Sequence, residues 1–400
     1  MDDMPYSKDP PDFSLVLGGP LFQLWLRLRL TTPTLDLLKK RVVFISLFAW
    51  LPLLLLSLID GTAWTGVGVP FLYDIEAQIR FLVALPLLIA AELLVHKQLR
   101  LIVGQFIDRN MLTETELPKF RESIASAMKL RNSVALELVM LILVFVVGHY
   151  LWTTVTIVEK IAFGTGSWYA HTDSTGTHLS LAGYWYFFVT RPLFQFILCR
   201  WYFRLFIWAR FLWQCSRLTL NLVPTHPDRA GGLGFLAMSS AALAPLIAAH
   251  GVLLAGLIAN SIFFLGEKLT DSILLIIGVV LFLLFIVLGP LLAFSPNLMS
   301  AKRTGLREYG ILACKYARAF DLKWVRGGAA ADEPLLGSSD IQSLADMGNS
   351  FQVIREIQAF PFNKDTAIHI ILLTLIPVLP LVLTMIPLEK LIEKFLQAIF

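Results

Sequence analysis

Runs of about 20 apolar residues, the length of a membrane crossing, recur along this chain, and one of them carries five arginines. Residues 180–220 hold Arg191, Arg200, Arg204, Arg210 and Arg217 among Trp, Phe, Leu and Ile. Arginine at mid-bilayer costs at least about 2.5–3.5 kcal/mol on insertion scales. Most of these arginines must therefore escape the hydrocarbon or serve within it. With 56% hydrophobic and 16% charged residues, the chain lies outside soluble domains, which carry about 25% charged residues. The expected fold class is all-α: a polytopic transmembrane helix bundle with cytoplasmic amphipathic helices.

Seven segments have the length and composition to span, roughly 42–60, 80–96, 134–158, 181–205, 233–260, 272–295 and 366–387. Lys and Arg set their orientation, because cytoplasmic loops collect positive charge. Six lie before residue 42 (Lys8, Arg27, Arg29, Lys39, Lys40 and Arg41), seven in 97–132 and nine in 296–365. The intervening loops hold none in 61–79, Lys160 alone in 159–179 and Lys268 alone in 265–271. This alternation puts the N-terminus in the cytoplasm and, with seven spans, the C-terminus outside. Pro377, Pro380 and Pro387 leave a re-entrant seventh segment as the alternative, since proline kinks helices. The first apolar run follows an Asp- and Pro-rich start, so a retained anchor is expected rather than a cleaved leader.

The chain divides into a cytoplasmic segment 1–41, a six-span bundle 42–295, a cytoplasmic helical segment 296–365, and a last span with an outer amphipathic helix, 366–400. Residues 14–30 read as an interfacial helix. In 300–325, Leu306, Tyr309, Ala313, Tyr316, Phe320 and Trp324 repeat at helical spacing amid six basic residues, a pattern suited to an anionic lipid surface. A second helix is expected from Asp340, with Ser339 and Gln342 as a capping box. Its apolar face is Ile341, Leu344, Met347, Phe351, Ile354 and Ile357. Leu388, Leu391, Ile392, Phe395, Leu396 and Ile399 give the same period after Pro387. Trp50, Trp64, Trp152, Trp168 and Trp185 fall near expected interfaces, as an aromatic belt requires.

Two sets of residues could carry function. The first is the string His226-Pro-Asp228-Arg229-Ala-Gly231-Gly232-Leu-Gly234 between spans four and five. Its glycines free backbone N–H groups to approach an anion such as a lipid phosphate, and Arg229 adds charge. The bland reading is a capped helix start with close helix packing. His226 and Asp228 as an acid–base or metal pair is a third. The second set is intramembrane and polar: Arg191, His149 and His250 at one depth, and Glu92, Glu137, Arg200 and Arg204 nearer the cytoplasm. Buried charges in membranes pair or line water, so Arg200 with Glu92 or Glu137 is the expected pair. A structural polar cluster that fixes helix packing is the competing reading. Arg191-Pro192 suggests a locally broken helix. The arginine spacings of nine, four, six and seven exclude a voltage-sensor ladder. His171, Asp173 and His178 form a weak metal candidate. No metal site, cofactor motif or catalytic residue is assigned. Unpaired Cys199, Cys215 and Cys314 indicate reduced thiols, and nothing resembles a nucleic-acid surface.

The strings Pro224–Phe235 and Ser338–Phe351, with the proline-rich last span, resemble an uncharacterised family of bacterial multi-span inner-membrane proteins. The resemblance covers roughly the C-terminal half. It implies a bacterial inner membrane and brings no activity. The residues themselves point first to a transporter or channel with a polar path through the bundle. The alternative is a membrane scaffold or sensor that binds lipid head groups or proteins at the cytoplasmic face. A lipid-modifying enzyme using His226 and Asp228 ranks last. The partners these readings imply are membrane lipids, anionic head groups among them, and a protein partner or second copy of the chain.

Overall fold

The computed structural model describes residues 13–30, 37–146, 148, 166–173, 176–330, 333–334 and 337–385. The order is α1 (Pro20–Arg27), α2 (Leu38–Ile59), α3 (Ile75–Asp108), α4 (Leu117–Arg131), α5 (Val134–Val146), β1 (Ala170–Asp173), β2 (Gly176–Leu179), α6 (181–216), α7 (Leu233–Ala242), α8 (Ala244–Leu265), α9 (Leu269–Val325), α10 (Ser339–Arg355) and α11 (Lys364–Met385). Among the described residues, length and apolarity single out five helices able to cross a membrane, α2, α3, α8, α9 and α11. Over its described residues α5 is a shorter apolar helix. The expected helix after Pro387 lies outside the described residues.

The bundle turns its apolar side chains outward. Phe44 and Leu55 on α2, and Leu274 and Phe285 on α9, are at least half exposed. Water tolerates no apolar face this wide without a partner; lipid does. On α2 every fourth residue is buried instead: Arg41, Ile45, Ala49, Leu53 and Ser57. This is the inward stripe of a helix, and a charged residue begins it.

At the centre, α8 packs against α3 and α11. Its small residues make that possible. A Cβ on Gly251 would fall 2.6 Å from the Thr374 carbonyl oxygen, and one on Gly256 would fall 3.3 Å from Glu76 Cα. The helix starts at Ala244 with Pro245 in its first turn. The expected span 233–260 therefore divides into short α7 and a later α8.

Helices α3 and α6 are built alike. Each opens on a side-chain cap: Asp74 Oδ1 accepts from Ala77 N at 3.0 Å, and Ser180 Oγ from Gly183 N at 2.9 Å. One α-turn segment follows, then a π segment (Arg80–Ala84 and Tyr186–Thr190), then a long α-helix with Pro86 or Pro192 in its first turn. Proline lacks an N–H and crowds the carbonyl four residues earlier. The wider π turn absorbs that misfit. Arg191-Pro192 thus marks a π bulge in a continuous helix, not the broken helix its sequence suggests.

Both helices outrun the bundle at the end where the basic segments gather. There Phe106, Phe120, Phe211, Phe235 and Phe294, all at most 3% exposed, join in a chain of ring contacts 5.2–6.4 Å between centroids. Phe13 enters the same knot, 4.8 Å from Phe211. The N-terminal segment is therefore threaded into the protein, and only Pro20–Arg27 of the expected 14–30 helix is helical. At the opposite end β1 and β2 pair antiparallel, with His171 facing His178. Among the described residues no group of His, Cys, Asp and Glu could hold a metal ion.

The expected basic helix is the second half of α9, continuous with the apolar run and joined to it through a 3₁₀ stretch, Gly289–Phe294. Its apolar stripe has a partner within the chain. It meets α10, which folds back antiparallel. Phe351 lies 3.6 Å from a Cβ on Gly310, Tyr316 Oη donates to Asp340 O at 3.2 Å, and Lys302 Nζ donates to Ile357 O at 2.9 Å. Two apolar faces of matching period thus cover each other. Ser338, one residue earlier than expected, caps α10.

Gly305 seats this hairpin on the bundle: a Cβ there would fall 2.7 Å from Pro224 and 3.1 Å from Ile354. Gly305→Val is expected to cost about 1–3 kcal/mol through overpacking. It should loosen the hairpin base, read as faster limited proteolysis near residues 326–338 with no change in the rest of the digest.

Candidate functional site

A layer of buried charge lies where the bundle meets the phenylalanine knot. Arg41 comes from α2, Glu92 from α3, Glu137 from α5, and Arg200 and Arg204 from α6. Glu92 takes Arg41 Nη2 at 2.9 Å and Arg204 Nη2 at 2.8 Å. Glu137 takes Arg200 Nη2 at 3.1 Å on one oxygen and the Leu21 amide of α1 at 3.0 Å on the other. Arg204 also lies over the Trp201 ring, 4.8 Å from its centroid, and Trp201 Nε1 donates to Leu88 O. All five charged residues are under 10% exposed, and Arg41 is 1% exposed. Isolated buried ions would be prohibitive; pairing makes them tolerable. Among the described residues the layer brings three guanidiniums to two carboxylates. A cavity of about 10 Å³ among Trp25, Arg41, Glu92, Arg200 and Arg204 has room for about one water.

Sequence reasoning missed Arg41, which counts toward orientation in the basic cluster before the first span. The signal was present: Arg41 extends the stripe Ile45, Ala49, Leu53 and Ser57 at four-residue spacing.

A second polar layer, also missed, lies at the other end of the same helices. Asp74 Oδ2 accepts from Trp168 Nε1 and Oδ1 from Asn260 Nδ2, both at 2.8 Å. Ser180 Oγ donates to Trp168 O at 2.8 Å, so Trp168 ties the cap of α3 to the cap of α6. Arg80 donates to Tyr186 Oη and to Glu76. Trp168 is thus fully buried, and Trp50 donates to Gln78 at 2.6 Å. Neither acts as the belt residue its position suggests.

His250 belongs with the inner layer. Its Nε2 meets Tyr202 Oη at 2.8 Å and its Nδ1 meets Leu246 O at 2.8 Å. The expectation that His250 is level with Arg191 fails because α8 begins eleven residues later than the expected span. Arg191 stands apart, about 16 Å from Tyr202 along the helix. Its guanidinium lies 5.4 Å from the Phe187 centroid, beside a 110 Å³ cavity lined by Val144, Phe188 and Gln195. His149 lies outside the described residues.

In the string 226–234, the amides freed by glycine are already engaged. Asp228 Oδ1 accepts from Ala230 N at 2.9 Å and Gly232 N at 3.1 Å, and Oδ2 accepts from Gly234 N at 2.8 Å. His226 Nδ1 lies 2.9 Å from Asp228 Oδ1. The loop's own carboxylate occupies the place a bound anion would take. Gly231 and Gly232 have φ of 61° and 96°, and a Cβ on Gly234 would fall 2.9 Å from the carboxylate. Arg229 pairs with Glu356 at 3.1 Å, and its carbonyl accepts from Gln358 N at 3.0 Å. The string is therefore the seat of the α9–α10 hairpin. Burial raises the Asp228 pKa, but the three amides and His226 outweigh it and hold the carboxyl below its ordinary 3.8.

Comparison with protein-family models, curated proteins and solved structures returns no match. The functional reading therefore rests on the residues.

Two predictions follow from the charge layer and the loop. Glu92→Gln leaves two buried guanidiniums without their carboxylate and should cost about 3–5 kcal/mol. Arg41→Met leaves Glu92 paired with Arg204, so it should cost clearly less. Thermal unfolding in detergent gives the order. At Asp228 the folded pKa is depressed, so its contribution is whole above pH 3.8 and is lost as pH falls through the lower folded value. Asp228→Ala should cost about 1–2 kcal/mol at neutral pH. The difference in Tm from wild type should shrink below pH 3.8.

Proposed function

We propose that this protein is a multi-pass inner-membrane transporter or channel with seven spans, a cytoplasmic N-terminus and a path along α3 and α6. The observation that carries the reading is the burial of five charged side chains from four helices, Arg41, Glu92, Glu137, Arg200 and Arg204, each under 10% exposed. Buried intramembrane charge of this kind marks ion and solute pathways.

The two polar layers support it further. From Arg80 to Glu92 along α3 is about 18 Å. Between them Phe81, Leu85, Leu88 and Phe194 are at most 5% exposed, an apolar plug between polar ends. Two π bulges lie at the Arg80 end of the plug, with Phe81 inside one of them, and such bulges gather at functional sites. In this reading the paired charges and the plug are the closed state. The family resemblance of residues 224–235 and 338–351 agrees with an inner membrane.

A second reading, a scaffold for protein partners, is favoured by one observation. The hairpin leaves Ile311, Leu312, Leu322 and Val325 at least 48% exposed. A stoichiometric partner retained in mild detergent and lost on Leu322→Glu would establish it.

The transport reading is tested by single cysteines at Ile45, Ile89 and Ile197, which line the small cavity, in a background lacking Cys199, Cys215 and Cys314. Small charged thiol reagents are expected to label at least one in membranes. Arg200→Gln should change the labelling rate about tenfold or more, in line with a change of about 1.4 kcal/mol in access. Absence of labelling at all three positions, under every ionic condition, sinks the reading.

A further inference from the structure

We propose that the cavity between α5 and α6 beside Arg191 binds the carboxyl head of a long-chain carboxylic acid that reaches it from the surrounding lipid. The cavity has a volume of about 110 Å³. That is space for several water-sized groups, and so for a head group rather than a whole solute. Phe187, Arg191 and Gln195 line it from one face of α6, and Val144 and Phe145 line it from α5. Among the described residues no carboxylate lines it, and apart from Arg191 and Gln195 its walls are apolar.

Two polar groups in this cavity want a partner. The Arg191 guanidinium rests on the Phe187 ring, 5.4 Å from its centroid, and enters no ion pair among the described residues. Gln195 Oε1 is buried and has no hydrogen-bond partner among the described residues. The buried arginines of the inner layer, Arg41, Arg200 and Arg204, all face carboxylates. A charge held within a membrane pairs or meets water, and a buried amide left unbonded is costly too. Arg191 and Gln195 lie about one helical turn apart, so one ligand group reaches both. A carboxyl group accepts two parallel bonds from a guanidinium. It also bonds the amide, which turns to present either its oxygen or its N–H₂. A Cβ on Gly148 would fall 3.3 Å from Gln195 Oε1, so glycine there leaves the amide uncrowded.

Depth and surroundings select the ligand. Arg191 lies about 16 Å along α6 from its Ser180 cap, and about 14 Å from Arg200. Phospholipid phosphates lie outside a hydrocarbon core about 30 Å thick, so a site at half depth is beyond their reach. A phosphodiester also stays charged, whereas a carboxylic acid enters a low-dielectric medium in its neutral form. Phe145 and Phe188 line the cavity and are 45% and 61% exposed. The cavity therefore opens on the apolar outer face of the bundle, along which an acyl chain can lie. A small soluble anion would leave that mouth uncovered. The site rests on α5 and α6 crossing the membrane, as proposed above, and not on transport.

The test is native mass spectrometry of the full-length protein in detergent, titrated with hexadecanoic acid, hexadecanol or phosphatidylglycerol. Hexadecanoic acid is expected to be retained in preference to the other two, and Arg191→Gln should lower its retention about ten-fold. Gln195→Leu should lower it about three-fold, and Arg191→Lys should keep more of it than Arg191→Gln. Equal retention of acid and alcohol overturns the site, as does retention of the acid unchanged by Arg191→Gln. Phosphatidylglycerol retained as well as the acid, and lost likewise on Arg191→Gln, overturns the choice of carboxyl over phosphate. Displacement of the acid by equimolar acetate overturns the choice of a long-chain ligand. The membrane placement is read separately, from Phe188→Cys in a background lacking Cys199, Cys215 and Cys314. That cysteine should resist impermeant charged thiol reagents in membranes. Labelling there overturns the placement of this cavity in lipid; resistance without retention of the acid overturns the site alone.

Discussion

Five charges buried at one depth decide which helix faces which. Apolar packing between helices in lipid has little directional preference, because lipid tails are as apolar as leucine. Ion pairs do have it. Glu92 holds α2 and α6 to α3, and Glu137 holds α6 to α5 and the start of α1. Sliding or rotating any of these helices by one residue would part a guanidinium from its carboxylate in a medium that cannot replace it. The remaining contacts then follow. Trp201 sits under Arg204, the N-terminal segment reaches the phenylalanine knot, and α8 closes on α3 through glycine.

Two aspartates do for the ends of the bundle what the glutamates do for its interior. Asp74 gathers the Ala77 amide, the Trp168 indole and the Asn260 amide. Asp228 gathers three backbone amides. In each case one carboxylate satisfies donors that irregular backbone or a helix start would leave unpaired, and the irregular segment becomes fixed. This explains how a chain with 25 glycines positions its loops firmly enough to seat a hairpin at one end and a buried tryptophan at the other.

The apolar runs were legible because length and composition alone set them, and α2, α3, α8, α9 and α11 correspond to them. The paired stripes of α9 and α10 were also legible as periods. Their mutual contact was not, since a period says that a face is covered and not by what. Arg200 and Arg204 could be placed near a carboxylate by counting residues, yet the choice of Glu137 for one and Glu92 for the other depends on helix rotation. Arg41 was hidden by its neighbours: Lys39 and Lys40 make it look like an orientation signal, and only the buried stripe distinguishes it. His250 was misplaced because the break at Leu243 depends on α7 packing as a separate element. The string 226–234 displays anion-binding chemistry correctly. What sequence could not reveal is that its own aspartate is the anion.

That substitution of an internal for an external anion gives the loop a mechanical role. Helix α6 carries Arg200 and Arg204, ends at Ser216, and leads into the loop. The loop grips the hairpin base through Arg229, Glu356 and Gln358, while Pro224 packs on Gly305. A shift of α6 that parts Arg204 from Glu92 must therefore either distort a loop held by three carboxylate bonds or carry the hairpin with it. The loop is the stiffer of the two, because Asp228 is saturated and its glycines cannot accept side chains. Displacement at the buried charges would thus be delivered to the hairpin as a rigid movement, and the same rigidity would let a load on the hairpin bear on the ion pairs.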